Sequence, residues 1–351
     1  MSDTRAHTND DAELPYPDGW FAVAYQAELK PGQVLRRRLM GEDIVVYRTC
    51  GGAVRVVEPH CPHLGAHLGY GGRVEGENLI CPFHHFAYAP GGACVRAYGG
   101  KVPKLALRGR EFRERNGVIM VWRHAAGLPP QWEIPELGED GFTAPLPRTM
   151  LLTAYPQDIH ENAFDVGHFP TLHDYRSATI TSTSFEGTRS TCRLVTERYF
   201  PVIGALHFPV YSQGFGLSLS YVQVKMPSIG AQGFAYIYTT PVGPRQMELR
   251  VLSASRFGGG ETAPKGALGR VSVALSRLLT LALRPSTDKD FDADGPVWEH
   301  KRYVNLPRLA EGDGPIGPYR RWARQFYTWP SAAPEQLPGA RAAAPHVSQR
   351  P

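Results

Sequence analysis

Two short segments, each pairing a cysteine with a histidine, constrain the fold of this chain more than any other feature of its sequence. Cys61 and His63 form the first pair, and Cys81 and His84 form the second after seventeen intervening residues. Thiolate and imidazole groups are typical ligands of transition metals. The spacing therefore predicts two separate loops that meet at one metal centre.

The mixed composition of each pair indicates which centre this is. In a Rieske [2Fe-2S] centre one iron has two thiolate ligands and the other has two imidazole ligands, so each loop can supply one ligand to each iron. Tetrahedral zinc accepts the same four side chains. Zinc fingers, however, usually pair cysteine with cysteine and histidine with histidine. The pattern favours the iron–sulfur centre, with zinc as the alternative.

The sequence around these pairs predicts a small all-β domain over residues 14–125. Short β-rich runs alternate with glycine-pair turns, as hairpins require. The runs cover residues 20–25, 34–47, 54–57, 79–87 and 118–122. Prolines then interrupt any regular pattern over residues 126–147, which predicts an interdomain linker.

The remainder of the chain predicts an α+β domain over residues 148–330, followed by a disordered tail over 331–351. Residues 217–224 and 233–240 are typical of strands in a broad antiparallel sheet, and residues 267–283 and 317–327 of helices. The apolar run 271–283 is too short and too interrupted to span a bilayer. We expect it to form a buried or groove-forming helix.

A second cluster of potential ligands lies in this α+β domain. Asp165, His168 and His173 fall within roughly two helical turns. Two imidazoles and one carboxylate, with coordination positions left open, form the facial triad of oxygen-activating ferrous iron. On its own so short a motif is equally consistent with ordinary buried histidines.

Taken together, the two patterns resemble Rieske non-haem iron oxygenases. The loops Cys61-Pro-His-Leu-Gly and Cys81-Pro-Phe-His-His match the Rieske ligand loops, and Asn162-x-x-Asp165-x-x-His168, with His173 after four more residues, matches the mononuclear-iron motif. The resemblance implies a C-terminal helix-grip catalytic domain and the following residue roles. The cluster ligands are Cys61, His63, Cys81 and His84; the iron ligands include His168 and His173; the catalytic residues are Asn162 and Asp165.

The third iron ligand must come from elsewhere, and four aspartates lie in one short run at positions 288, 290, 292 and 294. Spacing alone does not choose among them. Asp294-Gly-Pro-Val-Trp298 resembles the family's Asp-x-x-Ile/Val-Trp motif, which implies that Asp294 is the ligand. Pro296 departs from the usual pattern and leaves Asp292 as a reserve. We expect the other two acids to form a solvated face.

Both ends of the chain resemble the branch that contains 3-ketosteroid 9α-hydroxylase and cholesterol 7-desaturase. The matching segments are Tyr16-Pro-Asp-Gly-Trp20 and Trp322-Ala-Arg-Gln-Phe-Tyr327. This resemblance implies that the protein uses O2 to hydroxylate or desaturate an apolar steroid- or terpenoid-like molecule. Natural-product tailoring by arylamine N-oxidation or oxidative cyclisation remains an alternative, as does a Rieske electron carrier.

Partners follow from the same resemblance. No Gly-x-Gly-x-x-Gly fingerprint follows a strand, so electrons from NAD(P)H would arrive through a separate flavin reductase, a ferredoxin or both. The family implies a homotrimer in which His84 of one subunit meets Asp165 and His168 of the next. The basic runs 36–38 and 108–115 could dock an acidic carrier or could be solvated strand faces.

Composition restricts the partners and the cellular compartment that we expect for the protein. The net charge of +5 is dispersed among acids, so nucleic-acid binding is not expected. The N-terminus has no apolar core of signal-peptide length. Five widely spaced cysteines suit a reducing compartment. We expect a cytoplasmic protein without a transmembrane segment.

Overall fold

The computed structural model describes residues 13–138, 142–202, 204–257 and 266–329, and the sheets and helices given below are those of these residues. The tail predicted over 331–351 lies outside them. Within the first 125 residues, three small antiparallel sheets form with the orders β1-β10-β9, β2-β3-β4 and β5-β6-β7-β8. The strands are β1 (Gly19–Tyr25), β2 (Val34–Leu39), β3 (Glu42–Arg48), β4 (Val54–Val57), β5 (Arg73–Glu75), β6 (Asn78–Ile80), β7 (Ala87–Tyr88), β8 (Cys94–Arg96), β9 (Phe112–Arg115) and β10 (Val118–Arg123).

Two of the predicted β runs are each divided in the structure. The run 34–47 forms the hairpin β2–β3, because Met40 and Gly41 adopt positive φ angles of 51° and 83° that reverse the chain. The run 79–87 is interrupted after β6 by the loop that begins at Cys81. The prediction of an all-β first half is confirmed.

The described residues of the predicted linker, 126–138 and 142–147, pack against both halves of the molecule. Trp20 donates a hydrogen bond from Nε1 to the carbonyl of Trp132 at 2.8 Å, and Ile134 is buried. Strand β11 (Leu146–Thr153) begins one residue before the predicted end of the linker and includes Pro147. A proline is tolerated there because β11 is an edge strand.

The second half contains one seven-stranded antiparallel sheet with the order β11-β17-β16-β15-β14-β13-β12. The other strands are β12 (Ser177–Glu186), β13 (Arg189–Phe200), β14 (Gly204–Phe215), β15 (Leu219–Met226), β16 (Ala231–Gly243) and β17 (Gln246–Phe257). Phe234 and Tyr236 of this sheet share one core with Trp20 and Trp122 of the first half. The hydrophobic contacts across this boundary hold the two halves together.

Four α-helices accompany the sheet in the described residues: α1 (Pro156–Glu161), α2 (His168–Leu172), α3 (Gly266–His300) and α4 (Ile316–Ala323). The predicted α+β class is thus confirmed. Helix α3 packs against β17 and β11 and continues through Pro285 and Pro296, well beyond the predicted end at 283. No helix in the described part of the chain is both long and apolar enough to cross a bilayer.

The expectation that residues 271–283 are buried or groove-forming is wrong for most of the aliphatic side chains in this run. Val271, Leu275 and Leu278 are about half exposed, whereas Ser276 and Thr280 are buried. Ser276 Oγ accepts a hydrogen bond from the Phe257 amide at 3.0 Å, and Thr280 Oγ1 makes a similar contact with β17. The helix is therefore attached to the sheet by its hydroxyl-bearing face.

Candidate metal centres

The two cysteine–histidine loops have the same backbone conformation. In the first, the Cys61 amide donates to the Ala66 carbonyl and the Gly65 amide donates to the Cys61 carbonyl; in the second, Cys81 makes the equivalent pair of bonds with Phe86 and His85. The fourth residue after each cysteine has positive φ, 75° at Gly65 and 57° at His85. Both cysteines are buried. Each loop therefore presents one cysteine and one histidine, with the histidine two residues after Cys61 and three residues after Cys81.

The side chains of these loops converge and fit an iron–sulfur centre. The His63 and His84 rings lie 4.9 Å apart, and His84 Nδ1 is a buried nitrogen without a hydrogen-bond partner among the described residues. Such an atom normally requires a partner, and a metal ion would supply one. Burial, with Cys61 close by, raises the pKa of the Cys81 thiol. A bound cation would hold both sulfurs as thiolates.

The second group contains His168, His173 and Asp294, whose potential ligand atoms all lie within 4.8 Å of one another. His168 begins α2, His173 follows its last residue, and Asp294 lies on α3. His173 Nε2 is 3.2 Å from an Asp294 carboxylate oxygen. His168 Nδ1 donates to the Asp165 carbonyl at 2.7 Å, which leaves the lone pair on Nε2. These residues fit a mononuclear iron site.

The electrostatics of this group suit metal binding. Burial lowers the pKa of His168, which favours the neutral imidazole that coordinates metals. Burial alone would also lower the pKa of His173, but the hydrogen bond and charge of Asp294, with a contribution from Asp290, raise it. A cation bound between Asp294 and the two imidazoles would satisfy the same negative charge.

The four aspartates of α3 have different environments. Asp288 and Asp292, the reserve ligand, both form ion pairs with Arg148 and are outside the potential ligand group. Asp290 contradicts the expectation of a solvated face. It lies 3.8 Å from His173 Nδ1, and burial raises the pKa of its carboxyl group. Because Asp290 and Asp294 are four residues apart, they occupy the same face of the helix.

The two remaining residues of the motif lie beside this group. The Asn162 amide oxygen accepts a hydrogen bond from Trp298 Nε1 at 3.4 Å, and Asn162 lines the adjacent cavity. The Asp165 carboxylate accepts from the Gly167 amide at 3.0 Å and lies 3.8 Å from His168 Nδ1, with its side chain 38% exposed. Asp165 can therefore contact both His168 and a group from outside the chain.

A cavity of about 520 Å³ lies between the large sheet and α3 and includes all three members of the group. Aliphatic and aromatic side chains provide most of its walls. These include Ile159, Phe169, Leu194, Phe208, Val210, Val222, Val224, Met226, Phe234, Ile237, Leu283 and Phe291. Along α3 the lining extends from Asp294 to Thr280, a separation of 14 residues or ~21 Å. The cavity is suited to a long apolar molecule.

Arg198 is a cavity residue that the sequence analysis did not identify. Its Nη1 donates to Ser286 Oγ at 3.3 Å, and its closest carboxylate oxygen, from Asp174, is 4.0 Å away. The sequence around a single arginine in a strand does not indicate which face of the sheet its side chain occupies. The alternation of Leu194, Thr196 and Arg198 along β13 would have indicated the face once one neighbour was known to be internal.

The basic runs near the first loops are engaged in surface ion pairs. Arg36 pairs with Asp43, and Arg110 pairs with both Glu42 and Glu58. This arrangement favours the interpretation as solvated strand faces, because Arg36 and Arg110 already have acidic partners.

Comparisons with known proteins agree with both centres. The family model for the Rieske [2Fe-2S] domain matches residues 19–105. The family model for the 3-ketosteroid 9alpha-hydroxylase C-terminal domain matches residues 121–327. The second match alone covers more than half of the 351 residues. The chain belongs to the Rieske oxygenase family. As a Rieske oxygenase it has a [2Fe-2S] cluster and a mononuclear iron, uses O2, and receives electrons from an external reductase.

The relatives of this Rieske oxygenase cover most of its length. It is 31% identical to cholesterol 7-desaturase nvd of Bombyx mori over 90% of this chain and 70% of that protein. It is 26% identical to the oxygenase component of 3-ketosteroid-9-alpha-monooxygenase of Mycobacterium tuberculosis, over 91% and 84% respectively. The solved structure of Pseudomonas putida CBB5 NdmA has the same fold, with a TM-score of 0.64, 20% identity and coverage of 87% and 88%. The predicted family and branch are confirmed, the match to the Rieske domain favours the iron–sulfur centre over zinc, and the match to a catalytic domain excludes the electron-carrier alternative.

Proposed function

We propose that this Rieske oxygenase hydroxylates or desaturates a steroid- or terpenoid-like substrate bound in the cavity beside His168, His173 and Asp294. The observation that carries the proposal is the apolar cavity, which extends ~21 Å along α3 from this group. Its walls match a long, rigid hydrocarbon skeleton. The names of the relatives, cholesterol 7-desaturase and 3-ketosteroid-9-alpha-monooxygenase, support the same class of substrate.

Each proposed ligand set has one task. Cys61, His63, Cys81 and His84 would hold the cluster, and His168, His173 and Asp294 would hold the iron. When bound, the two groups supply electron transfer and oxygen activation respectively. The cavity walls exclude water and position one edge of the substrate beside the iron ligands. Asn162 fixes the Trp298 indole at the cavity wall.

The proposed coupling between the two sites depends on Asp165. Its exposed carboxylate beside His168 could accept a hydrogen bond from His84 of a neighbouring subunit in a homotrimer. That contact would fix both imidazoles and join the two sites by a short path. We place this assembly in the cytoplasm, with a flavin reductase, a ferredoxin or both as the electron donor.

Iron analysis tests the assignment of both sites. We expect about three irons per chain and the low-average-g EPR signal of a Rieske cluster after dithionite reduction. His168→Ala should lose one iron per chain and keep that signal. A protein that contains zinc without the signal, or a His168→Ala variant with unchanged iron content, would contradict the assignment.

Turnover tests the substrate class and the role of Asp165. With a matched reductase, the oxygenase should convert at least one member of a panel of sterols and 3-ketosteroids, identified by mass spectrometry of the product. Asp165→Asn should bind both metals and lose most of this activity, because the carboxylate that joins two imidazoles is gone. Wild-type rates in Asp165→Asn would refute the bridge, and conversion of arylamines alone would refute the steroid class.

A further inference from the structure

Helix α3 has an exposed aliphatic strip that no other described part of the chain covers. Val271, Leu275 and Leu278 are 57%, 48% and 61% exposed. Their spacing places them on one face of the helix. Single exposed aliphatic side chains are common on protein surfaces, but a contiguous strip indicates an interaction surface.

Two hairpin tips lie at the same end of the catalytic domain as this strip. The β13–β14 tip includes Val202, which is 97% exposed, and the β15–β16 tip includes Ile229, which is 53% exposed. The antiparallel registers place both tips at the sheet edge where β17 ends at Phe257. Ser276 of α3 contacts the Phe257 amide at this edge. We call Val202, Ile229, Val271, Leu275 and Leu278 the apolar edge.

Two exposed basic side chains lie next to the apolar edge. From residue 271 to residue 287 the charged residues are Arg277 and Arg284; Arg284 pairs with Asp288 at 3.4 Å, whereas Arg277 is exposed and lies between Leu275 and Leu278 in the sequence. Lys225 is exposed beside the β15–β16 tip. Aliphatic side chains flanked by arginine and lysine are typical of surfaces that lie on anionic lipid.

We propose that the apolar edge binds the surface of an anionic lipid bilayer, from which the apolar substrate passes into the cavity. The passage of substrate rests on the proposed function, whereas the lipid contact does not. The opposite face of the same helix lines the cavity at Thr280 and Leu283, at the end remote from Asp294. A substrate that leaves the bilayer here would reach the iron ligands by moving along α3.

The extent of the apolar edge favours lipid over a second copy of the chain. A standard protein interface uses ~20–30 residues on each side, whereas the apolar edge offers five large side chains on three separate elements. A fluid bilayer accepts separate aliphatic side chains and pairs the cations with its head groups.

Vesicle flotation of the full-length, metal-loaded protein tests the proposal. The vesicles are phosphatidylcholine alone, or phosphatidylcholine mixed with phosphatidylserine. We expect partitioning onto the mixed vesicles, weaker binding in high salt, and a partition coefficient about ten-fold lower for the double variant Leu275→Ser, Leu278→Ser. The matched control is Leu306→Ser, Leu309→Ser, which removes two exposed leucines outside the apolar edge and should bind like wild type.

Two further measurements separate the outcomes. If the Leu275→Ser, Leu278→Ser variant floats with vesicles as well as wild type does, the proposal is overturned. A smaller assembly of that variant by light scattering would also overturn it, because the strip would then mediate contacts between copies of the chain. The variant should keep the wild-type iron content and turn over steroid presented in cyclodextrin normally, but steroid presented in vesicles more slowly. If the protein binds vesicles but turns over steroid neither from cyclodextrin nor from vesicles, the proposed function and the substrate passage are refuted, while the lipid contact is supported.

Discussion

At the residue scale, Tyr88 contacts a proposed ligand of the cluster. Its hydroxyl lies 3.0 Å from Cys61 Sγ inside the core of the first domain. When Cys61 is a metal-bound thiolate, Tyr88 is the hydrogen-bond donor. Hydrogen bonds to cluster sulfurs stabilise the reduced state, which has the greater negative charge, and raise the reduction potential.

We therefore expect Tyr88→Phe to lower the reduction potential of the cluster by tens of millivolts, where about 59 mV corresponds to a ten-fold change for one electron. An EPR-monitored redox titration measures the shift. Tyr47→Phe is the control, because Tyr47 belongs to the same core and has no hydrogen bond to a cysteine sulfur in the described structure. An unchanged potential in Tyr88→Phe would show that this hydroxyl does not affect the cluster.

His160 is a buried histidine that stabilises the catalytic domain. Thr239 Oγ1 donates to the Leu217 carbonyl and accepts from His160 Nε2 at 3.0 Å, so Nδ1 is the unprotonated nitrogen and accepts from Ser220. Burial lowers the pKa of His160 to about 4. The folded protein thus holds this imidazole neutral.

This depressed pKa predicts that the protein loses stability on acidification. Between pH 6.5 and about 4, His160 of the unfolded chain binds a proton that His160 of the folded protein does not. The free energy of unfolding therefore falls as the pH falls, by a total on the order of 3 kcal/mol. Thermal unfolding of wild type and His160→Asn across this range measures it. The stability of His160→Asn should depend less steeply on pH than that of wild type. His207→Asn, which replaces an exposed histidine, should keep the wild-type pH dependence. Parallel stability curves for His160→Asn and wild type would reject the assignment.

At the scale of elements, a buried ion pair fixes the position of α1 before the metal-binding motif. Arg320 of α4 binds both carboxylate oxygens of Glu161, at 2.6 Å and 2.8 Å, and also donates to the Val304 carbonyl. Glu161 is the last residue of α1 and directly precedes Asn162. A bidentate pair of this kind fixes orientation as well as distance.

Arg320→Met should destabilise the catalytic domain by about 3–5 kcal/mol, since it leaves the Glu161 charge buried without a partner. Chemical denaturation followed by tryptophan fluorescence measures the loss, and iron analysis should show a lower occupancy of the mononuclear site. Adding Glu161→Gln to the variant should restore part of the stability. No recovery in the double variant would indicate that the arginine acts by packing alone.

At the scale of the whole molecule, the proposed trimer makes a prediction that single subunits cannot satisfy. His84→Ala removes a proposed cluster ligand and Asp294→Ala a proposed iron ligand, so each variant alone should be inactive. If electrons pass between subunits, co-expression of the two should restore a measurable part of the activity. Light scattering gives the assembly size; a monomer, or mixed assemblies without activity, would refute transfer between subunits.

The sequence alone determined the family, the all-β and α+β halves and the candidate ligands in the first loops, because these depend on local patterns. A cysteine and a histidine two or three residues apart must share a loop, and the chemistry of that pair is readable without a fold. The same holds for Asp165, His168 and His173, which lie within one short segment. The position of α3 against these residues was not readable in this way.

Only the tertiary structure decided which side chains face the cavity and which face solvent. Asp290 lies beside His173, whereas Asp292 pairs with Arg148. The two side chains point in different directions from α3, and the packing of the helix on the sheet determines what each one contacts. The exposure of Leu275 and Leu278 has the same cause, since Ser276 and Thr280 attach the helix to β17. Burial depends on contacts between residues distant in sequence, and local composition does not contain those contacts.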